Sequence, residues 1–279
     1  MRGDVGFPVR LRFTKLGKVR FISHRDAARA FERAFRIEQL PLAFTQGFSP
    51  RPKVSFGLAL GVGHESRAEY LDLELAEAVD VGELAGPLSV ALPDGIDVAG
   101  ATALVERAPS LQESVGAVEY DLSLSGTDTD ALDSAVERAL TSETLSVTTM
   151  RKGHRVVEDL RPSLRRLLVE TDDSGTALVR AEVTTQPKGL RPADLLRALR
   201  DLADAPEGDG GDRVLRTHQW IERDGARLEP LEADRAARAA TSVRAMNKGR
   251  TDDRRDHSGG DRLRVEDPGD GSPDARCIA

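Results

Sequence analysis

Apolar and polar residues alternate over Val9-Arg10-Leu11-Arg12-Phe13, the two-residue period of a strand with one buried face. Val19-Arg20-Phe21-Ile22 predicts a further strand segment after a turn at Gly17-Lys18. The period then changes. Ala27, Phe31, Ala34 and Phe35 recur at three- and four-residue spacing, which predicts a helix over 24–38 with that stripe inward. Ser23 opens it, and Asp26 stands three residues on as a short version of the capping-box acid. Strands are predicted over 41–44, 54–60 and 69–75, the last alternating strictly from Tyr70 to Leu75. A helix over 79–92 and a strand over 95–104 follow.

Strand, helix, two strands, helix, strand is the order of a ferredoxin-like (split βαβ) module. The order then repeats. Strands are predicted at 118–124 and 214–221, helices at 128–140 and 193–202, and hairpins at 145–157 and 164–184. The chain therefore reads as α+β: two tandem ferredoxin-like modules with antiparallel sheets, over 9–112 and 117–228. From Ala233 onward there is no aromatic residue and only five of Val, Ile, Leu or Met. That composition offers too little apolar burial to offset ordering entropy. Residues 229–279 are expected to be a disordered tail.

Charge changes the picture more than composition does. The net charge is −7, yet Val9 to Lys53 holds eleven Lys and Arg against three acids. From His64 to Asp97 nine acids face Arg67 alone. A split this sharp predicts one surface suited to polyanions. Cys277 is the one cysteine, so a disulfide framework or a multi-cysteine metal site within this chain is excluded. Single-cysteine usage reads as cytosolic. An apolar leader and a long apolar run are both absent, so neither export nor a membrane span is expected. No cofactor is expected.

The basic residues gather around Gln46-Gly47-Phe48-Ser49-Pro50-Arg51-Pro52-Lys53. Two prolines one residue apart forbid helix and push Ser49 and Arg51 toward extended geometry. The result is a stiff loop that presents Phe48, Arg51 and Lys53, and a stiff loop loses little entropy on binding. The same pattern fits a turn whose charges face water. On the helix, Arg25, Arg29, Arg33 and Arg36 lie opposite the apolar stripe; this row suits phosphates or a solvated face. All eight phenylalanines lie between Phe7 and Phe56, and Phe13 and Phe48 are the candidates for stacking bases. Downstream, Arg151 and Lys152 crowd a hairpin tip, and Lys188 and Arg191 flank prolines in a second loop. Contacts of this kind add salt-dependent affinity rather than sequence discrimination.

His24 at the helix start is the one candidate catalytic residue, as a general base toward an RNA hydroxyl or as a packing residue of the first turn. The other four histidines are scattered and form no metal-ligand pair. Walker A, GxGxxG, HExxH and GxSxG motifs are absent.

Four stretches together resemble the radical SAM-linked family of bacterial proteins. They are Arg12-Phe13-Thr14-Lys15, Arg20 to Asp26, Gln46 to Lys53 and Glu69-Tyr70-Leu71-Asp72. That family is built on a domain of unknown function, fused behind a radical SAM enzyme or encoded beside one. The resemblance spans roughly residues 9–225. Arg25 replaces an expected apolar residue, and Ser49 and Arg51 stand where Asn and His are common. The resemblance implies a radical SAM partner. Such an enzyme needs a three-cysteine cluster site, which this chain cannot supply.

The reading is an accessory protein that binds RNA (tRNA or rRNA), or the enzyme itself, through its basic face. Arg25, Arg29, Arg33, Arg51 and Lys53 would contact phosphates, and Phe48 would stack. Two alternatives stay open. One is a metal-independent endoribonuclease of the tandem ferredoxin-like type, using His24. The other is a pure protein-interaction module.

Overall fold

The first strand, β1 (Phe7–Lys15), is built as its alternation requires: Val9, Leu11 and Phe13 are buried on one face. A computed structural model describes residues 6–105, 108–151, 153–172, 175–205 and 211–253. Strand β1 pairs antiparallel with β3 (Glu65–Leu75) and with β4 (Val98–Ala103). The short β2 (Val54–Phe56) pairs with the C-terminal part of β3.

Helix α1 (His24–Ile37) lays Ala27, Phe31, Ala34 and Phe35 against this sheet. Ser23 caps it: its hydroxyl accepts from the Asp26 N–H and donates to the Asp26 carboxylate. That bond holds the Asp26 carboxyl below the usual carboxylate range. Phe31 is the packing centre, with the Phe13 ring edge-on at 4.7 Å and Phe56 at 5.9 Å. Replacing Phe31 with alanine is expected to cost about 3–5 kcal/mol, read as a lower urea midpoint.

Several predicted elements differ. The strand expected over 54–60 is shorter and ends at Phe56. Gly17–Phe21 is a 3-10 turn, not a strand. Val19 and the capping residue Ile22, three residues apart, are its half-buried apolar side chains, and the Lys15 ammonium ties it down through the carbonyls of Arg20 and Ile22. The helix expected over 79–92 is shorter, α2 (Ala85–Ala91). Proline is tolerated in the first turn of a helix and not in its interior, so Pro87 sets where α2 starts. Asp80 caps a separate 3-10 turn at Val81–Glu83.

A four-residue turn, α3 (Leu111–Ser114), leads to β5 (Val115–Ser123). Helix α4 (Thr129–Thr141) precedes a separate hairpin of β6 (Ser146–Arg151) and β7 (His154–Asp159). Strands β8 (Leu164–Thr171) and β9 (Ala177–Thr184), helix α5 (Pro192–Leu202) and strand β10 (Arg213–Arg223) complete the second half. Among the described residues the main sheet runs β4-β1-β3-β10-β5-β9-β8. The fold is mixed α+β, and its sheet is antiparallel except where β10 meets β3.

The halves meet through a buried guanidinium. Arg216 on β10 is 2% exposed and reaches Glu69 on β3 at 2.8 Å. It also donates to the carbonyls of Leu58 and Ala59 and to the Tyr120 hydroxyl. Burial opposes its charge, but Glu69 and Tyr120 hold the pKa above the ordinary arginine value.

The tail expectation needs correction at its start. Strand β11 (Ala226–Leu228) pairs with β10, and α6 (Pro230–Asp253) follows. Leu231 and Ala233 are buried. Glu229 pairs with Arg12 at 2.5 Å and Asp234 with Arg10 at 2.9 Å. These contacts order a segment whose composition alone could not. One unit runs to Arg238, and a second begins at Ala239, helical through Asp253. The rest of the expected tail, 254–279, lies outside the described residues.

Burial raises the Asp234 carboxyl above its ordinary value of 3.8, and Asp72 adds to the effect against the pull of Arg10. Above pH 3.8 the folded chain therefore holds this proton more tightly than the unfolded chain, and its contribution falls as pH rises through the raised value. Asp234→Asn should gain stability relative to wild type as pH climbs from 3.8, checked by urea melts at stepped pH.

Candidate nucleic-acid interface

The residues between α1 and β2 fold back on themselves as a narrow hairpin. Thr45 N–H donates to the Arg51 carbonyl at 2.9 Å, Arg51 N–H to the Thr45 hydroxyl at 3.0 Å, and Lys53 N–H to the Ala43 carbonyl at 2.9 Å. Phe44 and Pro52 face each other across it. The strand expected at 41–44 is thus reduced to isolated bridges, at Leu42 and Phe44. Gly47 at the tip has φ +132°, a conformation that residues with side chains rarely take. Phe48 beside it is fully exposed.

This hairpin and α1 are the walls of an open groove of about 850 Å³. Arg25, Arg29 and Arg36 line it from the helix and Arg51 from the hairpin. Its floor is apolar: Phe35, Leu40, Leu42, Phe44, Val54 and Phe56. Glu32 is the one acid in the lining. Arg25, Arg36 and Arg51 form no ion pair among the described residues, and Arg29 pairs with exposed Asp26 at 3.3 Å. Four exposed guanidiniums in one lining with Phe35, Phe44 and Phe56 form a site for an anion that also carries a planar apolar part.

The other singled-out residues are placed differently. Arg33 is exposed outside the groove lining, because it sits about 80° round the helix from Arg25. Lys53 turns away and pairs with Glu74 at 2.8 Å. Phe13 is core, 3% exposed, and unavailable for stacking. His24 packs edge-on to Phe56 at 4.9 Å and lines a water-sized cavity with Lys15 and Glu69. Burial lowers the Lys15 pKa, against the pull of Glu69.

In the second half, Lys188 pairs with Glu158 at 3.2 Å, and Arg191 is the exposed residue preceding α5. Arg151 ends β6. Its side chain and the whole of Lys152 lie outside the described residues. Strands β10 and β5 separate β9 from β3, so Lys188 and Arg191, on the segment that follows β9, do not extend the groove. The face of β5, β8 and β9 away from α4 and α5 is charged but self-neutralised. Arg180 pairs with Asp121 and Glu170, Arg227 with Glu119 and Glu182, and Arg165 with Glu222. Trp220, stacked on His218, is covered by Arg227 at 4.3 Å.

The groove floor was missed by periodicity. Leu42 and Phe44 read as strand, and Leu40 was given no role; the signal that could have exposed them is the pair of prolines at 50 and 52, which allows the segment only isolated bridges. Arg36 was visible on the helix as a fourth arginine of the same row.

A family model described as "Uncharacterized protein conserved in bacteria (DUF2344)" matches residues 9–192. The chain belongs to this family. The DUF2344 match contains both walls of the groove and stops before β10, which supplies Arg216. No curated protein matches the sequence. Among solved structures, the chain is similar to one in "Crystal Structure of a Cbf5-Nop10-Gar1 Complex", at 12% identity and a TM-score of 0.41. That alignment covers 77% of this chain and 49% of the other, so the chain spans about half the length of the solved one. No described helix is long and apolar enough to cross a membrane.

Proposed function

We propose that this protein binds RNA in the groove between α1 and the 43–53 hairpin, as an accessory to a radical SAM enzyme. The observation that carries the RNA reading is the convergence of Arg25, Arg29, Arg36 and Arg51 on one groove whose apolar lining includes Phe35, Phe44 and Phe56. Arginine forks match phosphate oxygens bidentately, and the floor accepts a base. The self-neutralised face of the second half supports the groove as the ligand site in preference to the sheet. The partner rests on the family resemblance and on the single cysteine, which leaves the cluster to another chain.

The same reading takes each half as a ferredoxin-like module. The strand orders β4-β1-β3, with β2 on β3, and β10-β5-β9-β8 support it, with β6 and β7 as an insertion. Ultraviolet cross-linking of bound RNA, mapped by mass spectrometry, tests the site. Adducts should fall within 24–36 and 43–56; adducts confined to the second half would remove the basis for it. Iron and a cluster-bearing enzyme should co-purify with the chain from its own cells, and their absence would remove the partner.

A second reading is favoured by one observation, the cavity shared by His24, Lys15 and Glu69 beside the groove floor. It makes the chain a metal-independent endoribonuclease. Incubation with RNA in EDTA should then give cyclic-phosphate ends that His24→Ala abolishes; intact RNA disposes of it.

A further inference from the structure

We infer that the groove takes unpaired RNA, with a base seated on the Phe44 and Phe56 floor and a neighbouring base stacked on Phe48, and that it does not take duplex. This rests on the reading of the groove as an RNA site and adds the form of the RNA.

The groove volume of about 850 Å³ falls within the roughly 300–1,000 Å³ of sites that enclose a small ligand. Its cations stand on the rim and its apolar side chains on the floor. In an A-form duplex the phosphates are outermost and the bases are stacked inside. A duplex could touch Arg25 or Arg51 but would leave Leu40, Leu42, Phe44 and Phe56 uncovered. An unstacked nucleotide satisfies both layers, with phosphate on the guanidiniums and base on the rings.

Phe44 is 50% exposed although it belongs to an ordered hairpin, and Phe48 is exposed entirely. Ring faces held in water on a proline-stiffened support are the device by which single-stranded nucleic acid is gripped without sequence preference. An acidic peptide would match the arginines as well, but it has less planar surface to set against three phenylalanines and four guanidinium planes.

The test measures fluorescence anisotropy of the full chain with three probes at matched salt. They are a short unstructured RNA, the same strand annealed to its complement, and polyglutamate. Wild type is compared with Phe48→Ala, whose side chain makes no packing contact to lose, and with Phe44→Ala, whose fold is checked by its melting curve. The single strand should bind at least about tenfold tighter than the duplex. Each alanine variant should lose about five- to a hundredfold on the single strand, with the salt slope unchanged. Duplex binding as tight as single strand, or full affinity in both variants, overturns the inference and leaves the RNA reading standing. Binding of neither RNA, or polyglutamate ahead of both, overturns the RNA reading with it.

Discussion

Alanine at Arg25, Arg29, Arg36 and Arg51 together is expected to flatten the salt dependence of RNA binding by about 3 in the slope of log K against log salt. Each single-strand phosphate contact contributes roughly 0.7 to that slope through counterion release. Between roughly 50 and 200 mM salt, wild type should therefore lose about fiftyfold more affinity than the variant does. The four side chains are exposed on the groove rim, so their loss should leave the melting temperature nearly unchanged. Arg33→Ala is the control, since Arg33 is exposed on the same helix outside the groove. An equal effect from Arg33 would mean a diffuse field rather than a site.

Arg216→Ala should rank with Phe31→Ala among the most damaging single changes to stability, at about 3–5 kcal/mol. It would leave the Glu69 carboxylate buried without its cation and strip donors from the carbonyls of Leu58 and Ala59. Domains of this kind have about 5–15 kcal/mol in total, so the variant would be marginal or unfolded. Arg216→Met combined with Glu69→Leu should be markedly less destabilised, because the two paired charges leave together and Lys15 keeps the carbonyls of Arg20 and Ile22. Urea unfolding of the three proteins decides it. A cost below about 0.5 kcal/mol for Arg216→Ala would mean that the guanidinium is not the link between the halves.

The groove was half legible in the sequence, and the reason is range. The arginine row of α1 and the rigidity of Pro50 and Pro52 are local properties, readable from spacing and backbone chemistry. The floor was not, because Leu42 and Phe44 look like any strand until the hairpin turns them toward α1. Lys53 read as a ligand contact because its partner, Glu74, lies on another strand. The alternation of β1 predicted a strand with a single buried face, and it failed for the same reason. Arg10 is in fact 1% exposed, held between Asp72 and Asp234, and Asp234 follows it by 224 residues. Composition gave the same kind of error at 229–234, where docking of Leu231 and Ala233 and the ion pairs of Glu229 and Asp234 decide the outcome. The strand pairing of β10 with β3 joins residues about 150 apart and has no signature in a single sequence.

The central claim is that the anion sits between α1 and the hairpin, and charge reversal tests it most directly. Equilibrium RNA binding would be measured for wild type, for Arg25→Glu with Arg51→Glu, and for Arg161→Glu with Arg191→Glu in the second half. The account predicts a loss on the order of a hundredfold for the groove pair, where attraction becomes repulsion, and about threefold or less for the other. Equal losses from both pairs, or a groove pair that binds like wild type, would contradict it.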